Sequence, residues 1–178
     1  MADFIGTAQG VDDSITGTRG DDTMQGLSGN DYLNGGRGDD VIIGGAGSDV
    51  LMGGLGADEF QWSAGHISDG ATDYVMDFDI RQGDTFSFLD SASAEFEVLS
   101  ISHTMVDDAE FNGYDLRNGD NSTDIVIEVY NATTNSTQKI VLLDSWSGGL
   151  NAQWEDYLAT KGLSFSDGTM PSDDMMVA

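Results

Sequence analysis

The chain has 178 residues, with 6 Lys+Arg against 32 Asp+Glu and a formal net charge of −26. Such a surface repels nucleic acid, anionic lipid and acidic polysaccharide, and it attracts cations. With 24 Gly, one Pro and no Cys, the composition excludes a collagen-like chain, a Pro-rich linker and a disulfide scaffold. Abundant Gly suits a fold with many backbone positions of unusual φ/ψ, and bound metal is the obvious brace where disulfides are lacking.

The N-terminus, Met1-Ala2-Asp3-Phe4-Ile5-Gly6-Thr7, carries no basic stretch and no apolar core of the kind a cleaved secretory signal needs. No apolar run along the chain approaches the length of a membrane span.

A nine-residue repeat occupies residues 17–61: GTRGDDTMQ, GLSGNDYLN, GGRGDDVII, GGAGSDVLM and GGLGADEFQ. A degenerate copy, AQGVDDSIT, precedes it at residues 8–16. The five clear copies have Gly at positions one and four, and all six have Asp at position six and an apolar residue at position eight. The Asp column is Asp13, Asp22, Asp31, Asp40, Asp49 and Asp58, and the apolar column is Ile15, Met24, Leu33, Ile42, Leu51 and Phe60. Turn formation alone does not explain an Asp at position six in every copy while positions three, five and seven vary.

This pattern resembles the GGxGxDxUx nonapeptide of the RTX family. The resemblance implies an all-β fold, a right-handed parallel β-roll in which two nonapeptides make one turn, each with a GGxGxD loop and a very short xUx strand. Side chains alternate across a strand, so position eight points inward and builds a thin core. Asp residues 18 apart in sequence then stack, with Asp13, Asp31 and Asp49 on one edge and Asp22, Asp40 and Asp58 on the other. Carboxylates stacked at the strand spacing of about 4.8 Å repel one another, and a cation between turns reverses the sign. Ca²⁺ suits the position, because it accepts hard oxygen ligands, backbone carbonyls included, in flexible geometry. Zinc or copper would want His or Cys, which the repeats lack.

The resemblance further implies the ligand sets for several Ca²⁺ ions. One loop gives carbonyls from positions two and four plus its Asp, and the loop one turn later gives carbonyls from positions one and three plus its Asp. One site then uses Thr18, Gly20 and Asp22 with Gly35, Arg37 and Asp40. The next along that edge uses Gly36, Gly38 and Asp40 with Gly53, Leu55 and Asp58. On the other edge Leu27, Gly29 and Asp31 pair with Gly44, Ala46 and Asp49. The first copy departs from the pattern, with Gln9 and Val11 where Gly is expected, so Asp13 stands at a frayed end.

Residues 62–92 continue the resemblance. Asp73-Tyr74-Val75-Met76-Asp77-Phe78 and Gly83-Asp84-Thr85-Phe86 look like the D-x-I-x-D-F…G-D-x-I segment that closes the roll in serralysin-type exported proteins. Asp73, Asp77 and Asp84 are therefore candidate ligands for the last calcium sites. Beyond them, Glu95–Val106 alternates in part as a strand does, and Thr123–Tyr130 and Gln138–Asp144 form a hairpin across the turn-rich Asn131–Thr137. A helix is expected from Asn151 to Lys161, capped by Asn151, with Trp154, Tyr157 and Leu158 on one face and Gly162 at its end. A sheet against the flank of the roll would bury these aromatics.

The organisation expected is thus a roll over 1–61, a β-rich capping region over 62–170 continuous with it, and a tail over 171–178. That tail, ending Asp174-Met175-Met176-Val177-Ala178, resembles the uncleaved C-terminal signal read by type I (ABC) exporters. Catalytic motifs are missing. The two His, His66 and His103, do not form HExxH, there is no Cys nucleophile and no G-x-S-x-G elbow. The resulting expectation is a secreted, extracellular, non-catalytic calcium-binding protein. The competing readings are a C-terminal module of a larger extracellular enzyme, of protease, lipase or alginate epimerase type, and a module that binds an extracellular carbohydrate or surface ligand.

Overall fold

The computed structural model describes residues 1–7, 10–68, 70–89, 96–104, 123–146 and 151–161. Nine strands wind between two sheets: β1 (Asp3–Ile5), β2 (Ser14–Thr16), β3 (Thr23–Ser28), β4 (Tyr32–Arg37), β5 (Val41–Ala46), β6 (Val50–Leu55), β7 (Glu59–Trp62), β8 (Ala71–Val75) and β9 (Thr85–Phe88). Three longer strands follow, β10 (Phe96–Thr104), β11 (Thr123–Asn131) and β12 (Ser136–Trp146), and then helix α1 (Asn151–Thr160). Odd strands β1-β3-β5-β7-β9 form a parallel sheet of five, and even strands take their places in a sheet of seven ordered β10-β11-β12-β8-β6-β4-β2.

The register carries the 18-residue turn. Thr23 lies opposite Val41 and Tyr32 opposite Val50, so each strand pairs with the one two repeats later. The position-eight residues Met24, Leu33, Ile42, Leu51 and Phe60 are fully buried between the sheets. Burial of each such side chain contributes about 1.5–3 kcal/mol, which makes this column the main apolar support of the roll.

Three features differ from the sequence expectation. First, strands β3 to β6 are six residues long, because the chain returns to the ladder at position two, as in the Gly36–Gly54 pair. Second, an extra strand, β1, precedes the degenerate copy and puts Phe4 opposite Met24. Its offset is 20 residues, Asp3 to Thr23, while β2 keeps 18, Ser14 to Tyr32. The two extra residues therefore lie in the loop between β1 and β2, and Gly6-Thr7 rather than Ala8-Gln9 supplies its first two positions. Third, the hairpin β11–β12 and strand β10 do not pack against the flank of the roll. Strand β12 pairs in parallel with β8, Ile140 opposite Asp73, so the antiparallel strands extend one sheet in its own plane.

This extension merges the two regions into one core. Ile101, Ile125, Ile127, Val129, Ile140 and Leu142 pack in one apolar cluster with Phe60, Trp62, Phe78 and Phe86. Leu158 of α1 is buried in the same cluster, and the Tyr157 ring meets Phe86 edge-on at 5.4 Å between centroids. The Phe86 N–H donates to the Tyr157 hydroxyl at 2.8 Å, tying the helix to β9. Asn151 is the first helical residue. The expected strand ends at Glu95 and at Met105–Val106, and the tail at 171–178, lie outside the described residues.

Candidate metal centre

The loops between strands bring the Asp column together as expected. Asp22, Asp40, Asp58 and then Asp84 follow one edge, and Asp13, Asp31, Asp49 and then Asp73 follow the other. One hydrogen bond repeats along both. The Oδ1 of each Asp accepts the backbone N–H of the Asp one turn earlier: Asp31 from Asp13 at 2.7 Å, Asp40 from Asp22 at 2.7 Å, Asp49 from Asp31 at 2.9 Å and Asp58 from Asp40 at 2.9 Å. Asp73 and Asp84 continue the ladder, accepting from Asp49 at 2.9 Å and Asp58 at 3.0 Å. They stand 24 and 26 residues beyond those partners instead of 18, because the last turns carry longer loops.

The second oxygens of Asp13, Asp22, Asp31 and Asp40 face the space between their own loop and the loop one turn later. At Gly26 a methyl group would clash with both Asp31 Oδ2 and the Gly44 carbonyl oxygen, and at Gly35 with Asp40 Oδ2 and the Gly53 carbonyl. Position one must therefore be Gly, and a carboxylate oxygen shares this space with a main-chain carbonyl from the next turn. The Asp31/Asp49 and Asp40/Asp58 pairs and the Gly44 and Gly53 carbonyls expected from the sequence are thus neighbours.

Within the inner loops, position two turns into the left-handed region: Gly36 at φ 102°, Gly45 at 116°, Gly54 at 102° and, exceptionally for a side-chain-bearing residue, Leu27 at 76°. Leu at positive φ is disfavoured by about 1–2 kcal/mol, partly offset by the greater freedom that Gly has in the unfolded chain. Leu27→Gly is therefore expected to stabilise the calcium-loaded chain by about 0.5–1 kcal/mol, read from urea denaturation midpoints.

Four of these second oxygens, on Asp31, Asp40, Asp49 and Asp58, are buried with no hydrogen-bond partner among the described residues. An unpaired buried carboxylate oxygen is strongly unfavourable. Burial, with neighbouring carboxylates adding to it, pushes Asp31 and Asp40 up and takes Asp49 and Asp58 to about 7. Asp84 rises to about 6, Asp77 rises, and the fully buried Asp73 rises well above the carboxylate range, in each case chiefly through burial. The exception is Asp22, which the Thr18 hydroxyl holds below the usual range.

Every other second oxygen has donors. Asp13 Oδ2 accepts from the Thr7 N–H at 2.6 Å and its hydroxyl at 3.0 Å, and Asp22 Oδ2 from the Thr18 N–H and hydroxyl, both at 2.7 Å. Asp73 Oδ2 accepts from Trp62 Nε1 at 2.7 Å and from the Gln138 amide at 2.6 Å. Asp84 Oδ2 accepts from the Asp79 N–H at 2.8 Å, and the two oxygens of Asp77 accept from the Gly53 and Gly54 N–H at 2.9 and 2.8 Å. Among the described residues no three His, Cys, Asp or Glu side chains converge as an all-side-chain metal site would require. The donor set here is instead a carboxylate oxygen and main-chain carbonyls, hard oxygens of the kind Ca²⁺ takes. His66 ends a short 3-10 turn at Ala64–His66.

A second ladder escaped the sequence reading. At position five, Asp12 Oδ1 accepts the Asn30 N–H at 2.7 Å, Asp21 that of Asp39 at 3.0 Å, Asn30 that of Ser48 at 3.0 Å and Asp39 that of Ala57 at 2.9 Å. The signal was present, since Asp, Asp, Asn, Asp and Ser are all short side chains with an oxygen acceptor. It runs opposite in sense to the Asp ladder at position six, so adjacent residues of one loop bond to the turns before and after it.

A two-sheet parallel roll with stacked carboxylates at its loops is the architecture of a repeat-built metal-binding module. Residues 8–42 and 26–60 each match the RTX calcium-binding nonapeptide repeat, and the repeat segment of this chain belongs to that family. The solution structure of the AlgE6R3 subunit from the Azotobacter vinelandii mannuronan C5-epimerase has a similar fold, with a TM-score of 0.50 and 24% identity over 90% of this chain and 82% of that one. No curated protein matches the chain.

Proposed function

We propose that the chain is an exported, non-catalytic calcium-binding module whose roll folds on meeting Ca²⁺ outside the cell. The observation that carries this reading is the set of bare, buried oxygens on Asp31, Asp40, Asp49 and Asp58, those of Asp31 and Asp40 beside a main-chain carbonyl of the next turn. The ligands proposed are those four carboxylates, the carbonyls of Leu27, Gly29, Gly36, Gly38, Gly44, Ala46, Gly53 and Leu55, and the Oδ1 side of Asp73 and Asp84, with Asp77 beside Asp84. Support comes from the RTX match, the strongly acidic surface and the lack of Cys. The likeness of residues 171–178 to an exporter signal supports a type I export route, and among the described residues no helix is long and apolar enough to cross a membrane.

The test is a calcium titration at two pH values, followed by circular dichroism. The folded, ion-free carboxylates of Asp49 and Asp58 sit at about 7, above the 3.8 they start from, because burial disfavours their charged form. Protonation therefore favours the ion-free roll as pH falls from about 7 towards 4, and that benefit is lost as pH rises through 7. Calcium needs the same oxygens ionised, so the proton competes with it. Lowering pH from 7.5 to 5.5 is expected to raise the calcium midpoint by about tenfold or more. A midpoint unchanged between the two would contradict carboxylate ligation at these positions.

A second reading is that the chain serves as the calcium-binding module of a larger extracellular enzyme. The fold likeness to a subunit of an epimerase favours it. The mass of the protein recovered from its native host decides between them: 18.9 kDa on the first reading, larger on the second.

A further inference from the structure

We infer that this array holds one ion for each bare oxygen, four among the described residues, and that protein donors stand in for the ion at both of its ends. The inference rests on the calcium reading above and goes beyond it by fixing where the array stops. At the N-terminal end the spaces between Asp13 and Asp31 and between Asp22 and Asp40 are closed by Thr7 and Thr18. A methyl group on Gly6 or Gly17 would meet the second carboxylate oxygen and the next-turn carbonyl of Gly26 or Gly35, as at the inner loops. The space is thus the same kind, but a Thr N–H and hydroxyl point at the oxygen that is bare elsewhere.

Backbone conformation explains the difference. In the four inner loops position two has positive φ, and its N–H does not reach the carboxylate of its own loop. Thr7 and Thr18 are not among the residues with positive φ, and their N–H groups turn towards the carboxylate. β-Branched Thr resists the left-handed conformation that the inner loops adopt. Its hydroxyl adds a second donor, so two neutral dipoles supply part of what a cation supplies further in. The threonine is at once the reason the loop cannot open and the group that makes the ion unnecessary.

At the C-terminal end the columns stop for the same physical reason with different residues. Asp73 Oδ2, which would face the next ion, takes the Trp62 indole N–H and the Gln138 amide. The Gln138 carbonyl oxygen accepts the Ser68 N–H at 3.0 Å, which orients the amide so that its NH₂ faces Asp73. Gln138 lies on β12, 65 residues along the chain, so the last carboxylate of that column is hydrogen-bonded by the sheet that extends the roll. Asp84 Oδ2 is taken by the Asp79 N–H. The bare oxygens fall between these limits, in the spaces Asp31/Asp49, Asp49/Asp73, Asp40/Asp58 and Asp58/Asp84. The site read from the sequence at Thr18, Gly20 and Asp22 with Gly35, Arg37 and Asp40 is on this account closed.

The test is ion counting by native mass spectrometry on the full chain in millimolar calcium, with calorimetric titration as a second count. Four ions are expected on the wild type, four on Asp22→Asn, three on Asp31→Asn and five on Thr18→Gly, where the freed loop can take the inner conformation. A wild-type count of five or six that falls in Asp22→Asn would overturn the inference while leaving calcium binding intact, and so would four ions on Thr18→Gly. A wild type that binds none overturns the calcium reading itself.

Discussion

Chelating calcium is expected to unfold residues 17–61 at neutral pH while the β-rich region beyond them keeps part of its structure. Without the ion, the second oxygens of Asp31, Asp40, Asp49 and Asp58 are buried and unpaired, and like charges stack along both edges. Opposing this, the roll offers one large apolar side chain per nonapeptide, too few to offset the entropy of ordering so many glycine-rich loops. Mass action sets the size of the effect. Extracellular calcium modules have dissociation constants of about 10⁻⁴–10⁻³ M. At about 10 mM calcium each such site contributes roughly 1.4–2.7 kcal/mol, and four sites about 6–11 kcal/mol. That is as large as the whole stability of an ordinary domain, about 5–15 kcal/mol. Thermal melts followed by far-ultraviolet circular dichroism should therefore lose the roll transition in EGTA and regain it cooperatively on adding calcium.

The second large effect is expected at Asp49. Its Oδ1 accepts the Asp31 N–H and its Oδ2 is buried and unpaired, so on the four-ion array proposed above it would serve two ions, one shared with Asp31 and one with Asp73, as Asp58 would on the opposite edge. Asp49→Asn keeps the shape of the side chain and removes its charge. The loss expected is about 3–5 kcal/mol in about 10 mM calcium, the contribution of two sites at the affinities above. Asp13→Asn, at a loop closed by Thr7, should cost less than about 1 kcal/mol, the net value of an exposed hydrogen bond. Urea denaturation of the two variants in calcium measures both, and equal losses would mean that the register of the sites is wrong.

Much of this was legible in the sequence because a nine-residue period leaves little freedom. Once Asp recurs at position six and an apolar residue at position eight, the strands, the loops and the two Asp columns follow together, and the register from Thr23–Val41 to Tyr32–Val50 agrees with that phase. The reading faltered where the period breaks. Gly6-Thr7 resembles Gly17-Thr18, but two extra residues before Asp13 hid the correspondence, and β1 was missed with it. Position in the repeat makes Thr18 a carbonyl donor, whereas the closed loop proposed above gives its N–H and hydroxyl to Asp22 instead. The sequence register also puts Asp40 in two sites, and the proposed closure of the Asp22/Asp40 space would move that double role to Asp49 and Asp58. Gln138 and Trp62 carry no local signal at all. Their meaning depends on β12 pairing with β8, a contact between distant segments that no short-range pattern encodes.

The most direct measurement is amide hydrogen exchange on the full chain, in EGTA and in millimolar calcium chloride. Fast exchange is expected across residues 17–61 in EGTA and strong protection there in calcium, greatest around Asp31, Asp40, Asp49 and Asp58. Strong protection of residues 17–61 in EGTA would contradict it, because the roll would then stand without the ion that its bare carboxylates are held to require.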